Sequence, residues 1–400
     1  MPEPLELADI FRAAGPRYRE VHAARMLPSH RRAMDDIARC RTAALGGSLY
    51  RCDDCGALDY SYHSCRNRHC PKCQEERAQD WLRRTRARLL PCDHSLLTFT
   101  LPAQLRAAAR SHQTLVSAAL LREAAASVQA LAKDRQWVGG TPGILAVLHT
   151  WTRTLEYHPH AHLLVTAGGL SSDGAAWITP AHPRVLAPGY MLSEIFRAKM
   201  RAALARAGLD SNIEPGTWTR RWTVHVQQIG TGDHAIRYLS RYVSRVALGN
   251  HALESFTDDR VTFRYTHARS RETKRLTLPV DAFIGRFLQH VLPSGFTKIR
   301  SYGLLSPSSR PDLERARQLL HLHARPAPTA VTITTTAATG TPDHTTTSTD
   351  PDTADTADTA DTADTADTAD TADTGDPLCP VCQHGHLRLL GRFRRSRAPP

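Results

Sequence analysis

Short apolar runs predict several β-strands in the middle of the chain. Three such runs have a proline or glycine within or beside them: residues 94–101 (HSLLTFTL), 143–149 (GILAVLH) and 158–166 (HPHAHLLVT). The second and third runs are close enough to form a hairpin across residues 152–157. Further strands are predicted at residues 222–228, 261–265 and 275–278. Residues 46–76 are turn-rich and contain many Cys and His residues.

Apolar residues at helical spacing predict helices on both sides of these strands. The predicted helical regions are residues 1–45, 77–90, 103–134, 192–207, 234–248 and 280–291. This mixed order of elements favours an α+β domain with a mainly antiparallel sheet and flanking helices. The chain contains no apolar run of about 18 residues, so neither a transmembrane helix nor a membrane partner is expected.

Composition changes the picture near the carboxyl end. Beyond about residue 325 the chain is rich in Pro, Thr and Ala, and Asp-Thr-Ala repeats follow from Asp352. Such a segment buries too little apolar surface to form a core, so residues 325–376 are predicted to be disordered. Residues 343–376 contain eleven Asp and no Lys or Arg. The net charge of +12 therefore combines −11 in this stretch with +23 on the rest, which predicts a nucleic-acid partner.

Nine cysteines, mostly in Cys-x-x-Cys pairs, predict metal ligands in a reducing cytoplasm. Two pairs separated by 14 residues predict a zinc ribbon with four thiolates: Cys52, Cys55, Cys70 and Cys73. Four other side chains lie nearby and leave two alternatives open, since one of them could replace a paired cysteine or several could build a second site: Cys40, Cys65, His63 and His69.

A third Cys-x-x-Cys pair follows the acidic repeats. Cys379 and Cys382, with His384 and His386 behind them, are candidates for a further zinc site. The pair is then either a small autonomous knuckle or a remnant. Around the first two pairs, Arg66, Arg68 and Lys72 are candidates for contacts with DNA phosphates, although a purely structural zinc clamp is the alternative.

The third predicted strand presents two histidines on one face. Because alternate residues of a strand share a face, His160 and His162 point the same way, while Ala161 points into the core. Two neutral imidazoles on one face form half of a site for a divalent ion. The competing interpretation is a pair of surface or satisfied core histidines.

The predicted helix at 234–248 carries two tyrosines one turn apart. Tyr238 and Tyr242 share a helix face, and three guanidinium groups suited to phosphate lie beside them: Arg237, Arg241 and Arg245. The alternative is that both tyrosines are ordinary core residues of an amphipathic helix.

Taken together, these motifs resemble the insertion-sequence ninety-one family of transposases, which are HUH-type, two-tyrosine rolling-circle enzymes with an N-terminal zinc-binding domain. The resemblance covers residues 1–310. The stretches that carry it occur in family order: RTAALGG (41–47), RCDDCG (51–56), SCRNRHCPKCQ (64–74), LTFTLP (97–102), LHTW (148–151), HPHAHLLVTAGGL (158–170), YLSRYVSR (238–245), VTFRY (261–265), LTLPVDAFIGRFLQH (276–290) and GFTKIRSYGLL (295–305).

The resemblance implies a mechanism. A divalent ion, Mg²⁺ or Mn²⁺, is held by His160 and His162 and polarises a phosphate of single-stranded DNA. Tyr238 or Tyr242 attacks, which forms a 5′-phosphotyrosine link and leaves a free 3′-OH. A third ligand is expected from a neighbouring element. His149 is the first candidate because the predicted hairpin brings it near the pair. The alternative is that His149 is a core histidine, or that it contacts a metal ligand without binding the ion. The weaker candidates are His94, Gln228 and Glu156.

We therefore predict a bacterial, cytoplasmic transposase that works at the nucleoid. Its predicted parts are a helical, zinc-binding DNA-binding module (1–90), an HUH catalytic domain (91–310), a disordered linker (325–376) and a small basic tail (377–400). Two rival classes are a replication initiator or relaxase with the same chemistry, and a non-catalytic zinc DNA-binding regulator. The second rival has no use for the histidine and tyrosine pairs.

Overall fold

The computed structural model describes residues 4–181, 188–231, 247–267, 270–323 and 376–394. The α-helices of these ranges are α1 (Leu7–Val21), α2 (Pro28–Ala38), α3 (Pro71–Arg86), α4 (Arg106–Ser111), α5 (Gln113–Ala132), α6 (Gly189–Arg206), α7 (Val280–Leu288) and α8 (Arg310–His323). The strands are β1 (Gly47–Cys52), β2 (Leu58–Tyr62), β3 (Asp93–Thr100), β4 (Gly143–Trp151), β5 (Tyr157–Thr166), β6 (Gly169–Leu170), β7 (Trp177–Ile178), β8 (Val224–Thr231), β9 (Leu253–Thr257), β10 (Arg260–Thr266), β11 (Thr273–Pro279), β12 (Ile299–Gly303) and β13 (Leu387–Phe393).

A five-stranded antiparallel sheet forms the centre of the fold. Its strand order is β12-β4-β5-β3-β8, so β5 has a neighbour on each side. The predicted α+β class with a mainly antiparallel sheet is confirmed, as is the hairpin between the second and third predicted strands. The edge strand β12 was not predicted, because its five residues show no clear alternation.

One face of this sheet is covered by helices α5 and α6. Ala161, Leu163 and Val165 of β5 are fully buried there beside Leu97 and Phe99 of β3. The predicted inward orientation of Ala161 is therefore confirmed. Helix α5 is long and apolar enough to cross a membrane by length and composition alone, but 67% of its apolar window is buried inside the fold. It serves here as a core helix.

The opposite face of the sheet is only partly covered. Helix α8 packs there, and its Leu313 and Ala316 belong to the same apolar cluster as Leu145, Val147 and Leu164 of the sheet. Strand alternation places His160 and His162 on this face as well. The histidine end of β5 therefore lies away from the main core.

The N-terminal helices share a core with residues from much later in the chain. Phe11 of α1 packs against Phe287 of α7 with ring centroids 5.5 Å apart, and Phe263 of the sheet β9-β10-β11 belongs to the same cluster. The predicted helical character of residues 1–45 is confirmed by α1 and α2. The predicted domain boundary at residue 90 stays a prediction.

A third sheet joins the two ends of the chain. Strands β1 and β2 form an antiparallel hairpin within the predicted turn-rich region, and β13 pairs with the other edge of β1. The predicted helix at 234–248 lies mostly outside the described residues, since 232–246 are not described. Almost all of the predicted disordered linker also lies outside them.

Candidate metal centres and catalytic site

Three histidines of adjacent strands converge on one point of the central sheet. His149 of β4 lies directly opposite His160 of β5, and His162 follows two residues later on the same face. One ring nitrogen from each of the three lies within 4.8 Å of the other two. The structure thus brings His149, the first candidate for a third ligand, to the predicted pair.

Hydrogen bonds orient two of these imidazoles. Nδ1 of His160 donates to the carbonyl oxygen of His158 at 2.7 Å, so the lone pair of its neutral ring is on Nε2. Nδ1 of His162 lies 3.0 Å from Oγ1 of Thr98 on β3. The ring of His149 stacks on Trp151 with centroids 4.7 Å apart. Such contacts fix the ring planes before any ion arrives.

Burial keeps the site in a state suited to metal binding. His149 and His162 are buried, and desolvation lowers the pKa of His160 to about 4. The His160 imidazole is therefore neutral at physiological pH and has a free lone pair to offer.

The weaker candidates for the third ligand lie elsewhere. His94 pairs with Thr166 at the far end of the β3–β5 ladder. Gln228 is exposed on β8, opposite Ser95, and Glu156 is exposed beside the β4–β5 turn. None of these three residues belongs to the histidine cluster found among the described residues.

Tyr238 and Tyr242 lie outside the described residues, as do Arg237, Arg241 and Arg245. Of the described residues that flank this segment, Thr231 pairs with Asp93 at one end of the sheet, and Ala247 lines a small cavity with Thr150 and Trp151.

One cysteine cluster lies in the N-terminal module. The sulfurs of Cys40, Cys65, Cys70 and Cys73 are all within 4.8 Å of one another, with Sγ–Sγ distances from Cys73 of 3.4 Å to Cys40 and 3.6 Å to Cys65. Hydrogen bonds from Cys40 and Cys65 hold the pKa of Cys73 below its usual range. Four converging thiols of this kind suit a zinc ion.

The second cluster corrects the predicted ligand set. Cys52 and Cys55 do not join Cys70 and Cys73; their sulfurs converge instead with those of Cys379 and Cys382. The predicted grouping of Cys52, Cys55, Cys70 and Cys73 around one ion is therefore wrong. The reason is the path of the chain, because the β1–β2 hairpin points its turn towards the C-terminal segment, whereas α3 begins at Pro71 beside Cys40.

The histidines near the first cluster are not among its ligands. Nε2 of His69 accepts a hydrogen bond from the backbone N–H of Leu292 at 3.3 Å, and burial lowers the pKa of His69 to about 3. His63 is exposed on the surface. Cys40 and Cys65 thus complete the cluster. Their proximity in sequence to the Cys-x-x-Cys pair was the only signal that favoured them.

The candidate DNA contacts differ in their surroundings. Arg68 donates to the backbone carbonyls of Phe296 and Pro293, and Lys72 forms an ion pair with Glu6 at 2.5 Å. These two side chains therefore link parts of the protein. Arg66 is exposed and has a positive φ of 55°. Among the three, it is the one that faces solvent.

Comparison with known proteins shows which class of protein this chain belongs to. Residues 10–101 match the family model described as a transposase zinc-binding domain, and residues 143–312 match the one described as a putative transposase. The histidine cluster lies in the second range, and the cluster around Cys40 lies in the first. The fold and its sites thus define a transposase that carries a zinc-binding domain.

Two relatives narrow the assignment. The putative transposase y4qJ of Sinorhizobium fredii is 37% identical over 344 residues, which is 81% of this chain and 86% of that protein. The transposase for insertion sequence element IS801 of Pseudomonas savastanoi pv. phaseolicola is 30% identical over 288 residues, 67% of this chain and 68% of that protein. No solved structure matches the chain. The chain belongs to the insertion-sequence ninety-one family of transposases.

Proposed function

We propose that this transposase nicks and rejoins single-stranded DNA through a covalent link between a tyrosine and a 5′-phosphate. The observation that carries the proposal is the convergence of His149, His160 and His162 within 4.8 Å on the face of the sheet opposite α5 and α6. Three imidazoles converging at one point are a donor set for a metal ion. A divalent ion held there would serve phosphate chemistry in a DNA enzyme working in the bacterial cytoplasm, at the nucleoid.

The proposed ion is Mg²⁺ or Mn²⁺; because both prefer oxygen ligands, the positions that three imidazoles leave open are the ones that phosphate oxygens and water would fill. The lone pair of His160 on Nε2 is directed by the Nδ1–H bond to His158, and an ion at Nε2 of His162 requires Nδ1–H to donate to Thr98. Three protein ligands leave positions for phosphate oxygens. A divalent ion held there would polarise the scissile phosphate and offset its negative charge.

The two tyrosines are the proposed nucleophiles. The phenol oxygen of Tyr238 or Tyr242 forms a bond to phosphorus and loses its proton, while the bond from phosphorus to the 3′ oxygen breaks and that oxygen leaves as a 3′-OH. The phosphodiester energy is kept in the tyrosine link, so rejoining needs no nucleotide cofactor. A second tyrosine allows a second covalent end to be handled during strand transfer.

Basic residues on the same face support binding of the DNA backbone. A cleft of about 470 Å³ borders β12 and is lined by Arg88, Lys298 and Trp81; Arg68 also lines it, with its guanidinium held by the carbonyls of Phe296 and Pro293. Burial lowers the pKa of Lys298 to about 8. We propose that DNA phosphates pass along this face, with Arg66 and the arginines Arg237, Arg241 and Arg245 as further contacts. The proposed ligands of a structural zinc in the N-terminal module are Cys40, Cys65, Cys70 and Cys73.

The test is formation of a covalent adduct. The full-length protein is incubated with a labelled single-stranded oligonucleotide of the element end and Mn²⁺, and the products are separated on a denaturing gel. We expect a labelled band at the size of protein plus DNA. Tyr238→Phe combined with Tyr242→Phe abolishes the band, whereas Tyr265→Phe, on a different sheet, leaves it unchanged.

Histidine variants test the metal centre in the same assay. His160→Asn removes a proposed ligand, and we expect the adduct to fall by at least about 100-fold. His158→Asn is the matched control, because its side chain contacts Arg106 and is not part of the cluster. An adduct that survives the double tyrosine change would refute the nucleophiles. Equal loss in His158→Asn and His160→Asn would refute the ligand assignment.

A further inference from the structure

A second group of four cysteines joins the N-terminal module to a segment that neither family model covers. We propose that Cys52, Cys55, Cys379 and Cys382 bind one zinc ion that fastens the C-terminal segment 376–394 to the N-terminal module. Cys379 and Cys382 lie outside both matched ranges, 10–101 and 143–312. Neither Cys-x-x-Cys pair has four ligands of its own, so the site is complete only when the two pairs meet.

The distances between the sulfurs fit tetrahedral zinc. Cys52 Sγ lies 3.6 Å from Cys382 Sγ, and Cys55 Sγ lies 3.7 Å from Cys379 Sγ. A zinc–sulfur bond of about 2.3 Å places tetrahedral sulfurs about 3.8 Å apart. Disulfide sulfurs lie about 2.0 Å apart, so these contacts are not disulfides. A metal between the two pairs accounts for the separation.

Both pairs adopt the same local arrangement around a sulfur. The backbone N–H of Cys55 donates to Cys52 Sγ at 3.4 Å, and the N–H of Gly385 donates to Cys382 Sγ at 3.3 Å. In each case the donor lies three residues after the acceptor. Hydrogen bonds of this kind stabilise a thiolate, which is the form that binds zinc.

The tail backbone approaches the first pair too closely for an ordinary side chain. A Cβ at Gly385 would lie 2.4 Å from Cys52 Sγ and 2.6 Å from the Cβ of Asp54. The carboxylate of Asp53 accepts a hydrogen bond from the backbone N–H of His386 at 2.7 Å, and it lies 3.3 Å from the Arg388 guanidinium. The two segments are therefore fitted to each other around the sulfurs.

Strand pairing alone would hold this C-terminal segment only weakly. Strand β13 pairs along the edge of β1, but the apolar core at the site contains only Cys52, Cys379 and Leu387 as buried residues. So small a core rarely supports a segment without a metal or a covalent link. The zinc ion supplies that support, and it ties together residues 324 positions apart in the chain.

Zinc content of the full-length protein tests the shared site. We expect two zinc ions per chain in the wild type and one in each of two double variants, Cys52→Ser with Cys55→Ser and Cys379→Ser with Cys382→Ser. Combining all four changes still leaves one ion, because the pairs serve a single site. Cys92→Ser, which lies in neither cluster, keeps two. Two ions in the Cys379/Cys382 variant, or none in the fourfold variant, would overturn the proposal.

Release of the tail gives an independent readout. A site-specific protease sequence is inserted between residues 350 and 351 of the full chain, and the cleaved protein is analysed by gel filtration. We expect the C-terminal fragment to co-elute with the rest until a zinc chelator is added. The proposed zinc site is contradicted if the C-terminal fragment elutes separately while zinc is present. It is also contradicted if the fragment still co-elutes after the chelator is added. If the chelator halves the size of the eluting protein, zinc joins two chains, which contradicts a site built within one chain.

Discussion

Thr98 Oγ1 lies 3.0 Å from Nδ1 of His162, and this contact links two neighbouring strands at the histidine cluster. When Nδ1–H of His162 donates to this oxygen, the lone pair of the neutral ring is on Nε2, where an ion could bind. Thr98→Val removes the hydroxyl with little change in shape, and we expect Mn²⁺ affinity to fall about tenfold. Titration of the protein with Mn²⁺ measures this change.

Thr98→Ser keeps the hydroxyl and should keep most of the affinity. Thr262→Val is the control, because the hydroxyl of Thr262 forms a hydrogen bond with that of Thr277 on a separate sheet. Unchanged Mn²⁺ affinity in Thr98→Val would show that this hydroxyl does not position His162.

Arg68 and Arg66 offer a matched pair that separates stability from DNA binding. Arg68 donates to the carbonyls of Pro293 and Phe296, so Arg68→Met leaves acceptors without a charged donor and should reduce the free energy of unfolding by about 2 kcal/mol. Exposed Arg66→Met should change it by less than about 0.5 kcal/mol. Urea denaturation of both variants measures the difference.

Binding to single-stranded DNA should instead be sensitive to the change at Arg66. If Arg66 contacts a phosphate, Arg66→Met reduces the magnitude of the salt slope for single-stranded DNA by about 0.7. A salt slope equal to that of the wild type would remove Arg66 from the list of DNA contacts.

Gly385 and Gly391 test the close approach at the shared cysteine site. Gly385→Ala places a Cβ 2.4 Å from Cys52 Sγ, and the resulting strain of about 1–3 kcal/mol should speed zinc release to a chelator by about 5- to 150-fold. Gly391→Ala meets no atom within 4 Å and should behave like the wild type. A colorimetric chelator assay follows both rates. Equal rates in the two variants would mean that Gly385 does not constrain the site.

Buried histidines make the fold sensitive to acid. Burial lowers the pKa of His94 to about 4, and His290, on another part of the fold, is lowered to about 4 in the same way. The unfolded chain takes up these protons near pH 6.5. Their neutral forms therefore stabilise the fold fully above that pH, and the stabilisation is lost as pH falls from about 6.5 to about 4.

Each such histidine should contribute a slope of about 1.4 kcal/mol per pH unit in this window. His94→Leu should remove the contribution of one histidine from the slope of unfolding free energy against pH. Urea denaturation between pH 7 and pH 5 measures this slope. Exposed His251→Gln should leave the slope as it is. A slope that does not change in His94→Leu would show that His94 is protonated in the folded protein.

Local pattern was sufficient for the centre of the catalytic fold. Short apolar runs over residues 94–101, 143–149 and 158–166 predicted β3, β4 and β5, and the two-residue period of a strand placed His160 and His162 on one face. A short connection made the β4–β5 hairpin predictable, and with it the approach of His149. These features depend on residues that are near neighbours in sequence.

Other parts of the fold have no such local signal. Strand β12 is a short edge strand recognisable only by its pairing with β4, and the core shared by α1, α2 and α7 depends on contacts between residues hundreds of positions apart. Sequence patterns report periodicity within an element and carry little information on which elements meet.

The sequence by itself determined that this chain has metal-binding cysteines, a histidine pair on a strand face and an α+β fold, because each follows from residue type and short spacing. Only the tertiary structure decided which cysteine sulfurs converge. A Cys-x-x-Cys pair has the same local geometry whichever pair completes its tetrahedron, so the choice belongs to the path of the chain. That path brings Cys70 and Cys73 to Cys40 and Cys65, and carries the distal pair back across the molecule to β1.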